Sequence, residues 1–239
     1  MKITEETFKK LYEKHNENSN YVNFAYHLKN QLSYSSLSRK KLLEIGCGKG
    51  FTSLWISCFT DIEEVWAIDE AKGAGSELNV LNNLKEIVDS FKIDNLKICE
   101  IDFLHHNFQN EHFDYIIANN TLHHIIRTRK YYSKDHETKK QWIDLFKNIY
   151  LLLKNDGILI LGELTRKSIW RFLPLKYRNI DWKIHPTLSE FLDAIKKAGF
   201  LKVDYQYRIP YQLRKFNKIL NNYLFGFFVR PSLNIFAKK

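Results

Sequence analysis

The sequence predicts an α/β protein whose sheet is mostly parallel and covered by helices on both faces. Short apolar runs alternate with helix-like segments along most of the chain, the signature of βαβ units joined by right-handed crossovers. The runs are near-continuous rather than alternating, as strands buried on both faces should be. The first run, LLEIG, stops in a turn with glycine at 46, 48 and 50, which lets a strand end against a ligand. No repeat, low-complexity tract or linker divides the 239 residues, and at 44% hydrophobic they suffice for one sizeable core. A single domain over 1–239 is therefore expected, with a helical cap over 1–40, a core over 41–163 and a C-terminal segment over 164–239.

In order, the core reads as LLEIG then the helix TSLWISCF, VWAID then SELNVLNNLKEIVDSF, LKICEID, FDYIIAN, a helix through QWIDLFKNIYLLL, and GILILGE. The C-terminal third is punctuated differently and holds all four prolines. Its first stretch, TRKSIWRFLPLKYRNIDWKIHP, is too irregular and aromatic for a plain connection. Thr187 and Glu190 form a capping-box pattern that starts a helix ending near Gly199, with Lys196 and Lys197 in its last turns. FLKVDYQYRI and SLNIFAKK read as two late strands. Between them, Leu213, Phe216, Ile219, Leu220, Tyr223, Leu224 and Phe227 recur at helical spacing beside Arg214, Lys215 and Lys218. Such a stripe is read first as a helix packing on its own sheet, and second as a basic amphipathic helix on an anionic membrane surface.

Composition narrows the class. Cys47, Cys58 and Cys99 form neither a close pair nor a metal-ligand spacing, so reduced thiols, a cytoplasmic location and no metal are expected. The charged N-terminus lacks the apolar core of a signal peptide, and no stretch reaches the length of a membrane span. The net charge of +10 is uneven: residues 1–163 carry 21 Lys+Arg and 23 Asp+Glu, residues 164–239 carry 16 and 4. Either the C-terminal third meets an anionic partner or its solvated faces are simply basic.

Polar residues stand where ligands collect in an open α/β sheet, at the carboxyl ends of strands. Glu44 precedes the glycines, giving Glu-x-Gly-x-Gly-x-Gly. A dinucleotide fingerprint would place its third glycine at 51, where the chain has Phe51. Asp69 ends the second strand at a distance suited to ribose hydroxyls, Asp102 the third, and Asn119 the fourth. Singly, each is more often a turn former; together they occur in an ordered run.

That run resembles the class I S-adenosylmethionine-dependent methyltransferases of small-molecule type, over most of the chain from about Lys41 onward. The resemblance implies a Rossmann-like three-layer αβα sandwich with a seven-stranded sheet and an antiparallel last strand. It also implies S-adenosylmethionine as cofactor and S-adenosylhomocysteine as product. It assigns Glu44, Gly46, Cys47, Gly48 and Gly50 to the methionine side, Asp69 with Glu70 to the ribose, Asp102 and Phe103 to the adenine, and Asn119 to the head of the fourth-strand motif. Asn155 and Asp156 depart from the family's frequent Pro-Gly before the fifth strand. His123 and His124 follow the fourth strand and Glu163 ends the fifth, so these three are the candidates for taking a proton from the acceptor. The histidines have an equally plain reading as residues that pack the site.

Missing residues argue against some acceptors. Asn119-Asn120-Thr121-Leu122 is not the Asn/Asp-Pro-Pro-aromatic pattern associated with adenine-N6 or glutamine-N5 methylation, and no cysteine follows proline as a cytosine-C5 nucleophile would. A small-molecule acceptor is expected, with an anionic or lipid-like one left open. Its wall is expected from the loop after Asn119 and from Arg166 to His185, with Trp170, Phe172, Tyr177 and Trp182 among Arg171, Lys176 and Arg178. Peripheral membrane contact is carried as an option. The alternatives are an RNA methyltransferase, without a recognisable RNA-binding appendage, a non-catalytic nucleoside-binding protein, and an NAD-dependent oxidoreductase, which Phe51 opposes.

Overall fold

A computed structural model describes residues 3–16, 19–33, 37–71, 80–172 and 180–239. The chain divides into two compact units, Met1–Asn107 and Phe108–Lys239.

The first unit contains α1 (Glu5–His15), α2 (Tyr21–Leu32), β1 (Lys41–Ile45), α3 (Phe51–Phe59), β2 (Glu64–Asp69), α4 (Val80–Phe91) and β3 (Leu96–Glu100). Thr4 caps α1 by accepting the Thr7 N–H, with Glu5 and Glu6 at the positive end of the helix and Lys14 and His15 at its other end. Within the span 1–40, Glu5–His15 and Tyr21–Leu32 are helical, and aromatic rings seat them. Phe8 meets Phe51 edge-on at 5.8 Å, and Tyr12 stacks on Phe24 at 4.5 Å. Lys49 ties the glycine turn to the cap by donating to the His15 carbonyl at 2.8 Å, where the α1 dipole is negative. The parallel register pairs Ile45 with Ile68 and Asp69 with Glu100, which brings the ends of three strands to one edge. The helix expected from residue 76 is described over Val80–Phe91, and residues 76–79 lie outside the described residues.

The second unit contains β4 (Phe113–Asn119), α5 (Leu122–Ile125), α6 (His136–Leu152), β5 (Leu153–Leu164), α7 (Leu188–Lys197), β6 (Lys202–Tyr207), α8 (Asn217–Leu220), α9 (Tyr223–Phe228) and β7 (Ser232–Lys238). The capping box at α7 is formed in both directions between Thr187 and Glu190, and Gly199 takes a φ of 112° after the helix, a conformation that favours glycine. Where a turn was expected at Asn155-Asp156, the strand begins at Leu153 and runs through it. The register with β4 shifts between Phe113 and Tyr115, and Asp156 absorbs the irregularity at a φ of 64°. Among the described residues the strands form a seven-stranded sheet in the order β3-β2-β1-β4-β5-β7-β6, and β7 is antiparallel to both its neighbours. This is the predicted Rossmann-like architecture.

The stripe at 211–228 departs from the expected single helix. It breaks into a 3₁₀ segment over Tyr211–Phe216 followed by α8 and α9. Two asparagines cause the break: Asn221 accepts the Tyr207 backbone N–H, and Asn222 caps α9 by accepting the Phe225 N–H.

Candidate functional site

In the first unit the site is a backbone cradle shaped by two carboxylates. Gly50 precedes α3 at a φ of 71° and offers no side-chain cap. Glu44 supplies the missing acceptor from the neighbouring strand, taking the Ser53 N–H at 2.9 Å and the Ser53 hydroxyl at 2.5 Å. Its side chain is buried, so Glu44 reaches the ligand region through the helix it caps rather than by pointing outward. Burial pushes its carboxyl up to about 7, against the lowering effect of the Ser53 hydrogen bonds.

A consequence is measurable. A folded-state value above the ordinary one means that the buried carboxyl stabilises most when protonated, below its unfolded value, and that this stability is lost as pH rises through about 7. Between about pH 5 and about pH 8 the loss should approach ~3 kcal/mol, and Glu44→Gln should flatten it. Urea unfolding across that range checks this; a wild-type slope that survives in the variant assigns it to another group.

Asp69 is also buried and holds the loop from below, accepting the Gly48 N–H through Oδ2 at 2.8 Å and the Ala71 N–H through Oδ1 at 2.9 Å. Glu70, next in sequence, is exposed. Gly48 sits at a φ of 52°, and a Cβ built there would meet no atom of the described residues within 4 Å. The turn therefore faces open space that a side chain would fill, which fits a ligand lying against the backbone. Cys47 packs inward, with its thiol pushed well up by burial. Asp102 caps the short turn over Phe103–His105, accepting the Leu104 N–H and pairing with the His105 Nδ1 at 2.7 Å, while Phe103 is buried.

In the second unit a hydrogen-bonded cluster gathers around Glu163, which is fully buried. Glu163 Oε1 accepts the Thr121 and Leu122 N–H groups at 3.1 Å, and Oε2 lies 2.9 Å from His123 Nδ1. Burial works to raise its carboxyl, yet His123 and the backbone donors outweigh it and hold the pKa below the usual value. An ionised carboxylate only accepts, so His123 faces it with a protonated Nδ1. His124 lies tilted beside it at 4.1 Å between ring centres and is the more exposed of the two; partial burial lowers its pKa.

His185 joins this cluster, 4.3 Å from His123 between ring centres. Burial drives it down to about 4, so it is neutral, and among the described residues its buried Nδ1 has no hydrogen-bond partner. Ligand atoms of His123, Glu163 and His185 lie within 4.8 Å of one another, a donor set able to hold a divalent cation. Glu163 already accepts three hydrogen bonds, two at Oε1 and one at Oε2, which leaves one lone-pair site at Oε2.

Asn119 is engaged as well, its Oδ1 accepting from Arg208 Nη2 at 2.6 Å, while Arg208 Nε donates to Asn234 at 2.7 Å. Burial brings the Arg208 guanidinium down to about 10, leaving it charged at neutral pH. Gly162 makes the room: a Cβ there would lie 1.7 Å from Arg208 Nη2. Arg166, expected on an acceptor wall, instead turns inward. Its guanidinium is buried against Glu190 at 2.5 Å and donates to the His185 carbonyl at 3.0 Å. Lys176, Tyr177 and Arg178 lie outside the described residues. His185 and Arg208 were not singled out in the sequence; a glycine inside the apolar strand GILILGE is the signal that could have pointed to Arg208.

A glycine turn between strand and helix, an acid at the end of the next strand and an antiparallel last strand define a class I S-adenosylmethionine-dependent methyltransferase. Residues 36–198 match the family model described as a methyltransferase domain, and the chain belongs to that family. Its cofactor is S-adenosylmethionine. The chain is similar to the cyclopropane synthase MmaA2 of Mycobacterium tuberculosis, at 17% identity and a TM-score of 0.63, covering 90% of this chain and 84% of that one. It is similar to an S-adenosylmethionine-dependent methyltransferase of Mesorhizobium loti, at 17% identity and a TM-score of 0.59 over 90% and 96% of the two chains. A third likeness is to phosphoethanolamine N-methyltransferase 2 of Haemonchus contortus, in complex with S-adenosylmethionine, at 17% identity and a TM-score of 0.63. That match covers 98% of this chain and 57% of the larger protein. No curated protein matches the chain significantly.

Proposed function

We propose that this methyltransferase acts on a small acceptor presenting an O–H or N–H group, and that His123 receives the acceptor's proton at Nε2 while Glu163 fixes the ring. The observation that carries this reading is the buried 2.9 Å contact between His123 Nδ1 and Glu163 Oε2, which selects the tautomer with a basic Nε2. Glu163 is then a positioning residue. His124 is the weaker candidate, because nothing comparable orients it.

S-adenosylmethionine, when bound, supplies a sulfonium methyl whose carbon–sulfur bond is exchanged for a bond to the acceptor heteroatom, leaving S-adenosylhomocysteine. The residues proposed to hold it are Gly46, Cys47, Gly48 and Gly50 through the loop, Asp69 or Glu70 at the ribose, and Asp102, Phe103 and Asn119, with Glu44 acting through α3. The whole chain is proposed to work as one methyltransferase domain in the cytoplasm, a location supported by three free thiols. Among the described residues no helix is long and apolar enough to cross a membrane. An acceptor with a negative group suits the 16 basic against 4 acidic residues of 164–239. The Haemonchus protein, named for phosphoethanolamine, is a precedent on this fold.

The test is release of S-adenosylhomocysteine with paired acceptors that differ in whether the nucleophile carries a proton: phenol or primary amine against thioether or tertiary amine. Turnover confined to the first of each pair is the expected result. Equal turnover of thioethers and tertiary amines would remove the need for a base, and cofactor binding without turnover on any acceptor would favour a non-catalytic protein.

A further inference from the structure

The segment between β6 and β7 carries a surface that methyl transfer does not require. Helix α9, YLFGFF, is apolar on every side. One side is used: Phe225 and Gly226 are buried, and Gly226 lies so close to Tyr207 that a Cβ there would stand 2.0 Å from the ring. The other side is in solvent, with Leu224 64% and Phe228 52% exposed, and α8 adds Ile219 at 73%. A helix apolar all round is stable in water only when its second side also finds a cover. Phe172 belongs to the same surface, because Trp170 Nε1 donates to the Val229 carbonyl and Ser168 Oγ to that of Phe227, fastening the turn at 169–171 onto the end of α9.

The charge around this surface says what covers it. From Tyr211 to Val229 the chain has three Lys and Arg and no Asp or Glu. Arg214, Lys215 and Lys218 are exposed within the segment itself. A protein partner or a second copy of this chain would have to supply all of the compensating acid, and a second copy would bring the same uncompensated cations. An anionic bilayer supplies both what the apolar residues need and what the cations need: acyl chains beneath a layer of phosphates.

We propose that residues 211–229, with Phe172, form a docking surface for an anionic phospholipid membrane. Ile219, Leu224 and Phe228 enter the boundary between headgroups and acyl chains, while Arg214, Lys215 and Lys218 meet the lipid phosphates. The contact is peripheral. It does not depend on the acceptor or on His123.

Cosedimentation of the full chain with vesicles tests this, comparing phosphatidylcholine alone with equal parts phosphatidylcholine and phosphatidylglycerol. Partition should be roughly tenfold stronger on the anionic vesicles and weaken with added salt. Ile219→Glu with Leu224→Glu should abolish binding to both, and Lys215→Glu with Lys218→Glu should erase the anionic preference. All four positions are exposed, so thermal unfolding and S-adenosylmethionine affinity should stay unchanged, which separates this result from any failure of the catalytic reading. Wild-type protein that ignores anionic vesicles, or binding that survives these substitutions, overturns the proposal. So does a lipid-free dimer that Leu224→Glu converts to monomer, because the surface would then be an interface between copies.

Discussion

His123→Asn is expected to lower kcat by about 10²–10⁴-fold on an acceptor that must lose a proton, the usual contribution of a positioned general base. Asparagine can still donate from its amide to Glu163, so the buried carboxylate keeps a partner and the fold should hold. The S-adenosylmethionine dissociation constant should move by less than about twofold, since on this reading His123 acts on the acceptor's proton. Glu163→Gln provides the companion measurement. Its carbonyl can still accept from Thr121 and Leu122, but its amide then faces His123 Nδ1 as a donor. Nδ1 must become the acceptor, the proton moves to Nε2, and the base is lost with the ring still in place. Both variants should therefore be slow in kcat while remaining folded. Wild-type turnover by His123→Asn would reduce the cluster to packing.

Much of this arrangement was legible because it follows from local chemistry. Apolar runs buried on both faces can scarcely be anything but central strands, and Thr187 with Glu190 satisfies two helix-end donors within four residues, so neither needs knowledge of distant contacts. The acidic residues were legible as a set, but the backbone groups that each one holds were not. Glu44 looked like a ligand group because it sits beside the glycines, yet a glycine N-cap leaves a buried N–H that some acceptor must reach, and Glu44 is that acceptor. Asp102 likewise serves the turn that begins at Phe103.

What the sequence hid depends on pairs far apart in the chain. Arg208 meets Asn119 across 89 residues, through space left by Gly162, and no periodicity encodes such a contact. His185 is drawn to His123 in a segment whose aromatic and basic composition suggested an exposed wall. The stripe at 211–228 was misread for a local reason: helical spacing continues through Asn221-Asn222, but those side chains bond to backbone N–H groups and stop one helix before starting another. Past that break Phe225 is buried, while Leu224 and Phe228 face solvent instead of the sheet.

The glycine motif is expected to split into two functions under substitution. Gly50→Val should destabilise the fold by about 3–5 kcal/mol, because a β-branched residue is placed in the left-handed region and its Cβ falls on packed atoms. The φ is 71°, and the added atom would stand 2.1 Å from a Leu84 methyl in the core of the first unit. Gly48→Ala presents the opposite case. Its φ of 52° imposes only the modest strain of an L-residue, about 1–2 kcal/mol, and nothing among the described residues lies within 4 Å of the new methyl. A folded protein that has lost at least about tenfold in S-adenosylmethionine affinity, roughly 1.4 kcal/mol, is the expected result, because the methyl occupies the space left for the ligand. Calorimetric titration beside thermal unfolding reads both effects in one preparation. If Gly48→Ala binds the cofactor as tightly as the wild type, the open space in front of the loop is not where the nucleoside methionine lies, and Gly48 serves the turn alone.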